Sequence, residues 1–153
     1  MDQYAELIRI GKPDFIEVKG VTFAGGGKRN QLTMENVPWH EEVIRFCEDL
    51  GAAIERLGDA AVPRYEIASE HEHSCCILMA NVDKFKRDGE WYTWIDFDKF
   101  IELQARAEPF GSEDYLAKTP DWAVYGHSQR GFDPEELRFR KQRKPNEYIT
   151  NGC

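Results

Sequence analysis

The chain has 153 residues, 41% hydrophobic and 31% charged, which is enough for one domain with a buried core and excludes wholesale disorder. A net charge of −8 excludes a broadly basic nucleic-acid-binding surface, so any contact with RNA must come from local basic patches. The acidic start, Met1 to Glu6, is no signal peptide and no apolar run reaches membrane-span length, so a cytoplasmic protein without membrane contact is expected.

Tyr4, Leu7 and Ile8 fall at helical spacing before Gly11 and Pro13, which predicts a short helix that stops at the glycine. It reads as the tail of a helix from a longer protein. Phe15-Ile16-Glu17-Val18-Lys19 is rich in strand formers, and helix, stop and strand together are half of an α/β repeat. A glycine-rich loop, Ala24 to Asn30, then carries Lys28 and Arg29. Asn36 is placed to cap a helix with Pro38 in its first turn, and Val43, Cys47, Leu50, Ile54 and Leu57 mark its apolar face up to Gly58.

Two extended stretches follow, Tyr65–Ala68 and Cys75–Met79, with the polar run Ser69 to Ser74 between them. Arg87-Asp88-Gly89-Glu90 has hairpin turn chemistry ahead of Trp91 to Ile95. Asp96 caps a predicted helix holding Phe97, Phe100 and Ile101, and Ser112 caps a shorter one through Tyr115 and Leu116. Asp133-Pro134-Glu135-Glu136 has the form of a capping box. Arg138, Arg140, Lys141, Arg143 and Lys144 make five of the seven residues 138–144 basic. The four cysteines, Cys47, Cys75, Cys76 and Cys153, show no C-x-x-C or C-x-x-x-C-x-x-C spacing.

Several long strings occur in an order that resembles the C-terminal part of eukaryotic tRNA 4-demethylwyosine synthases. They are Asp14 to Thr22, Leu32 to Val43, Tyr65 to Ala68, Glu70 to Ser74, Gly89 to Asp96 and Thr119 to Ala123. The resemblance implies radical S-adenosylmethionine chemistry in wybutosine biosynthesis, joining two carbons of pyruvate to an N1-methylguanosine beside the anticodon of phenylalanine tRNA. It implies a [4Fe–4S] cluster, S-adenosylmethionine and an upstream FMN domain. In the family the cluster cysteines and a pyruvate-binding lysine also lie upstream. This chain therefore is expected to hold no cofactor alone, to need the missing N-terminal half of the enzyme, and to be inert by itself.

The implied fold is α/β: residues 1–58 as the closing βα portion of a radical-enzyme (β/α) barrel, and residues 63–153 as a small mixed α+β wyosine-forming, tRNA-binding module. An incomplete barrel would leave apolar surface exposed on the strand and the long helix.

Individual residues carry alternative readings. Glu17 and Lys19 share a strand face, either to hold a carboxylate or as a structural ion pair. His40 is a candidate for proton transfer, with a packing wedge formed by Trp39 and His40 the favoured alternative. His71, His73 and Cys75, on one face of an extended strand, would make three zinc ligands; the histidines are otherwise candidate RNA contacts, or partners of Glu70 and Glu72. Trp91, Tyr92 and Trp94 are candidate base-stacking residues, with Trp91 on one face, Tyr92 and Trp94 on the other, and one of the two faces in the core. Lys28, Arg29 and the basic run from Arg138 to Lys144 are candidate phosphate contacts. A non-catalytic tRNA-binding module is the rival function.

Overall fold

The computed structural model describes residues 1–23, 33–106 and 108–136. Lys28, Arg29 and the basic run from Arg138 to Lys144 lie outside the described residues.

Helix α1 spans Asp2–Gly11. It ends one residue later than its glycine suggests: Lys12 takes the left-handed conformation (φ 44°) and its N–H reaches back to the Ile8 carbonyl. Strand β1 covers Phe15–Lys19. The expected Asn36 cap is a separate feature, because Asn36 closes a short 3-10 turn, Met34–Asn36, and accepts the Thr33 amide at 2.8 Å. Helix α2 begins beyond Pro38, at His40, and runs to Arg56. Glu42 folds back to accept the Trp39 amide at 2.7 Å, satisfying one N–H at the helix entrance.

Strands β2 (Tyr65–His71) and β3 (Cys76–Asn81) form a hairpin around the 3-10 turn Glu72–Ser74, with Cys75 left-handed at the corner. β3 is central: the sheet order is β1-β3-β2 and both pairings are antiparallel. This corrects the barrel expectation. A (β/α) barrel strand has parallel neighbours, whereas β1 lies antiparallel to β3, with Phe15 opposite Ala80 and Lys19 opposite Cys76. The sheet takes strands from both sides of the division expected between residues 58 and 63, and the observed architecture is a small mixed α+β one.

One face of the sheet carries Ile16, Val18, Tyr65, Ile67, Ile77 and Met79 against the apolar stripes of α1 and α2, from Ala5 and Ile8 to Val43, Cys47, Leu50 and Ile54. Fully burying a side chain such as Ile77 or Met79 contributes ~1.5–3 kcal/mol. The α2 stripe is therefore covered, contrary to the exposure expected of it. Exposed apolar residues stand instead on α1, where Tyr4, Leu7 and Ile10 are 56, 65 and 68% accessible, and elsewhere, as at Trp39, Phe97 and Ile101.

The opposite face holds a second core of Phe15, Ala68, Ala80, Val82, Phe85 and Trp91. A short helix α3 (Val82–Phe85) leads into the hairpin β4 (Lys86–Arg87) and β5 (Glu90–Trp91), turned by Asp88 and Gly89 at positive φ. β6 (Trp94–Ile95) precedes helix α4 (Phe97–Arg106), where Asp96 caps the Lys99 amide at 2.9 Å as its position predicts. The helix expected after Ser112 is only a 3-10 turn, because Leu116–Ala117 form β7 against β6. At Asp133 the side chain accepts the Glu135 amide at 2.8 Å within a turn. Among the described residues, no helix is long and apolar enough to cross a membrane.

Candidate functional site

A register shift in β2, between Ile67 and Ser69, sets the geometry of the site. Regular alternation from Ile67 would turn Glu70 away from the helices, since one residue moves every later side chain to the other face. The bulge at Ala68 reverses this and aims Glu70 at α2. Its carboxylate, 2% exposed, meets Nε2 of the buried His40 at 2.8 Å. Oε1 accepts the Gly126 amide at 2.9 Å, and Arg130 Nε stands 3.7 Å from Oε2. A carboxylate only accepts, so Nε2 of His40 carries the shared proton. His40 Nδ1 is buried with no partner among the described residues.

Arg130 belongs to a strap, residues 119–132, laid along the outer edge of β2. Val124 bridges Ser69, Tyr125 donates its amide to the Ala68 carbonyl, and Glu72 donates its amide to the Arg130 carbonyl. Arg130 Nη1 binds Glu72 at 2.5 Å and Nη2 lies 3.6 Å from Glu41. The Glu41 carboxyl is held below its ordinary range by a backbone hydrogen bond first and by Arg130 as well. One guanidinium thus ties the strap to three carboxylates from α2, β2 and the following turn.

At the strap's end, Phe132 packs against His71 and His73, with ring centroids 5.4 and 6.0 Å away. His73 is also a wall of an open cleft of about 430 Å³ at the end of β1, lined further by Lys19, Thr22, Met34, Ser74 and Cys75. The cleft is closed below by Gly20, whose amide donates to the Cys75 carbonyl at 2.8 Å. A Cβ there would sit 2.9 Å from Cys75 Cβ and 3.3 Å from the Pro38 ring, so the approach needs glycine. The cleft brings together three residues singled out from the sequence, Lys19, His73 and Cys75.

Glu17 and Lys19 share the exposed face of β1, but Glu17 faces Cys76, whose thiol donates to it at 3.5 Å. Burial, then the Glu17 charge, push that thiol up to about 11. The packing wedge divides in two, because His40 is buried while Trp39 is 76% exposed. Glu70 and Glu72 pair with His40 and Arg130, and His71 Nδ1 lies 2.7 Å from Ser74 Oγ.

The zinc arrangement does not form. The strand ends at His71, the chain turns through Glu72–Ser74, and Cys75 is left-handed, so His71, His73 and Cys75 share no strand face. No group of three or more His, Cys, Asp or Glu is placed to hold a metal among the described residues. Trp91 is 6% exposed in the second core with the Lys86 ammonium 5.0 Å above its ring. The exposed tryptophan nearby is Trp94 of β6, edge-on to Trp122 at 5.6 Å. Arg130 and Gly131 escaped the reading of the sequence, and Glu70 entered it only as a partner of His71 and His73: a one-residue bulge and a contact across sixty positions leave no periodic trace.

A family model described as wyosine base formation matches residues 10–81, which contain β1, α2, β2 and β3 and hence Lys19, His40, Glu70 and His73. The S-adenosyl-L-methionine-dependent tRNA 4-demethylwyosine synthase of Oryza sativa subsp. japonica is 53% identical over 144 residues, 94% of this chain and 21% of the relative. Its Arabidopsis thaliana counterpart is 53% identical over 143 residues, again 94% of this chain and 21% of the relative. The Homo sapiens protein is 47% identical over 159 residues, covering 100% of this chain and 20% of the relative. The chain spans about a fifth of the length of these relatives.

Proposed function

We propose that this chain, whose residues 10–81 belong to the wyosine base formation family, is the C-terminal portion of a tRNA 4-demethylwyosine synthase and supplies substrate surface rather than the radical centre. The observation that carries the reading is the 53% identity over 94% of the chain to proteins of that name. On this reading the whole enzyme condenses pyruvate with N1-methylguanosine in phenylalanine tRNA, with S-adenosylmethionine, a [4Fe–4S] cluster and FMN.

The cysteines of the described residues do not suit a cluster. Cys47 is buried between α2 and the sheet with its thiol pushed up to about 12, foremost by burial. Cys76 faces Glu17 and Cys75 turns the hairpin corner. Iron needs convergent thiolates, so no step of the chemistry is routed through these sulfurs.

This chain's own part is binding. Lys19 and His73 stand on two walls of the cleft, and Lys19 offers a positive charge for a phosphate or carboxylate. The Glu70 network behind them fixes the strap that holds Phe132 against His73. Lys28, Arg29 and the basic run from Arg138 to Lys144 add phosphate contacts. His71 is a neighbour of the cleft through Ser74.

The test is a fused enzyme in which this chain replaces the matching part of the Arabidopsis thaliana relative. In cells lacking their own synthase, it is expected to convert N1-methylguanosine to 4-demethylwyosine in phenylalanine tRNA, read by nucleoside mass spectrometry, while the chain alone leaves the base unchanged. Unchanged N1-methylguanosine with the fused protein, beside an active parent enzyme, would overturn the reading. Product from the chain alone would overturn its inertness.

A further inference from the structure

We propose that the outer edge of β1 takes an additional β-strand, an extended segment with alternating apolar side chains supplied by the rest of the longer protein. The inference rests on the functional reading above, and it names the surface by which this fold joins that protein.

The two edges of the sheet are treated differently. The outer edge of β2 is guarded by the strap, through the Ser69–Val124 bridge and the Tyr125 amide. β1 is the other edge, and among the described residues no strand pairs with its outer side. Exposed edges in isolated folds are ordinarily blunted by proline, by bulges or by inward-pointing charge. β1 has no proline, pairs with β3 in unbroken register, and turns Ile16 and Val18 toward the helices. Its charged residues, Glu17 and Lys19, are on the opposite face.

Beside this edge runs an apolar groove of about 450 Å³ between α1 and β1, whose walls include Tyr4, Leu7, Ile16, Val18 and Phe46. Leu7 on its helix side is 65% exposed. An added strand would use the free backbone groups of β1 for its hydrogen bonds and set every second side chain into the groove. The occupant follows from length. The relatives carry about four-fifths of their residues outside the part that matches this chain, and a covalently linked segment has a high effective concentration at the edge.

Amide hydrogen exchange tests this in the fused enzyme against the chain alone. The outward amides of Phe15, Glu17 and Lys19 are expected to exchange at least tenfold more slowly in the fused enzyme, because those of Ile16 and Val18 already bond to β3. The substitution Leu7→Glu is expected to abolish that protection, while leaving the melting temperature of the isolated chain unchanged. Equal exchange of the β1 amides in both proteins would overturn the proposal. So would a dimer of the isolated chain, by sedimentation, with those amides already protected, because the occupant would then be a second copy. Protection at β1 without base formation would sink the functional reading and leave the docking standing; base formation without protection would do the reverse.

Discussion

A methyl group added at Gly131 would stand 2.1 Å from the Glu70 carbonyl oxygen and 2.6 Å from His71 Cα, and the residue sits at φ 88°. Backbone atoms of a sheet strand cannot yield, so Gly131→Ala combines a left-handed penalty with a forced retreat of the strap and is expected to cost about 3 kcal/mol. Gly58 separates the two terms: at φ 62° with nothing within 4 Å of its Cβ position, Gly58→Ala carries the backbone penalty alone, about 1 kcal/mol. Urea unfolding of both variants measures the difference, and equal losses would mean that the strap does not bear on β2. The buried pair behind it behaves asymmetrically. His40→Ala leaves the Glu70 carboxylate without its nearest donor and is expected to lose about 3 kcal/mol. Glu70→Gln keeps the shape and removes the charge, so its loss should be smaller. A larger loss in Glu70→Gln, by the same unfolding measurement, would contradict the roles assigned to the two side chains.

At the scale of elements, the cores explain what the sequence made legible and what it hid. The α2 face was plain because Val43, Cys47, Leu50 and Ile54 repeat with the helix and are buried. The limits of β1 were equally plain from its composition. Its direction was not, because the same five residues suit a parallel or an antiparallel neighbour, and the choice lies with β3, sixty residues on. The site was legible only in part: Lys19 and His73 do meet at a cleft, but the orientation of Glu70 depends on a bulge that composition does not encode. The same packing predicts an alkaline limit. Burial raises Cys47 from the ordinary 9.0 to about 12, Cys76 from 9.0 to about 11, and Tyr65 from 10.0 to about 12. The folded state holds these protons more tightly than the unfolded chain, so their contribution is complete below pH 9 and is lost as pH rises toward 12. Unfolding midpoints should be flat with respect to these groups up to pH 9 and fall above it. Cys47→Ala, with one such proton removed, should show a shallower decline; an identical slope would assign the alkaline loss elsewhere.

For the whole molecule, the proposed binding of tRNA sets a net charge of −8 against a polyanion. Long-range attraction to tRNA is therefore absent, and binding must be carried by short-range contacts from a few cations within reach of phosphate. Each phosphate neutralised releases counterions, so the logarithm of the binding constant falls with the logarithm of salt by roughly 0.7–0.9 per contact. Substituting Arg138, Arg140, Lys141, Arg143 and Lys144 together by glutamine leaves every hydrogen bond and ion pair described above untouched. In the fused enzyme this variant is expected to bind phenylalanine tRNA at least tenfold more weakly at 0.1 M salt and to flatten the salt dependence by about two contacts or more. Lys19→Ala, at a single site in the cleft, should flatten it by about one contact at most. A salt slope unchanged in both variants would place the phosphate contacts on the remainder of the enzyme, and this chain would then act through its shape and its docking edge rather than through its charge.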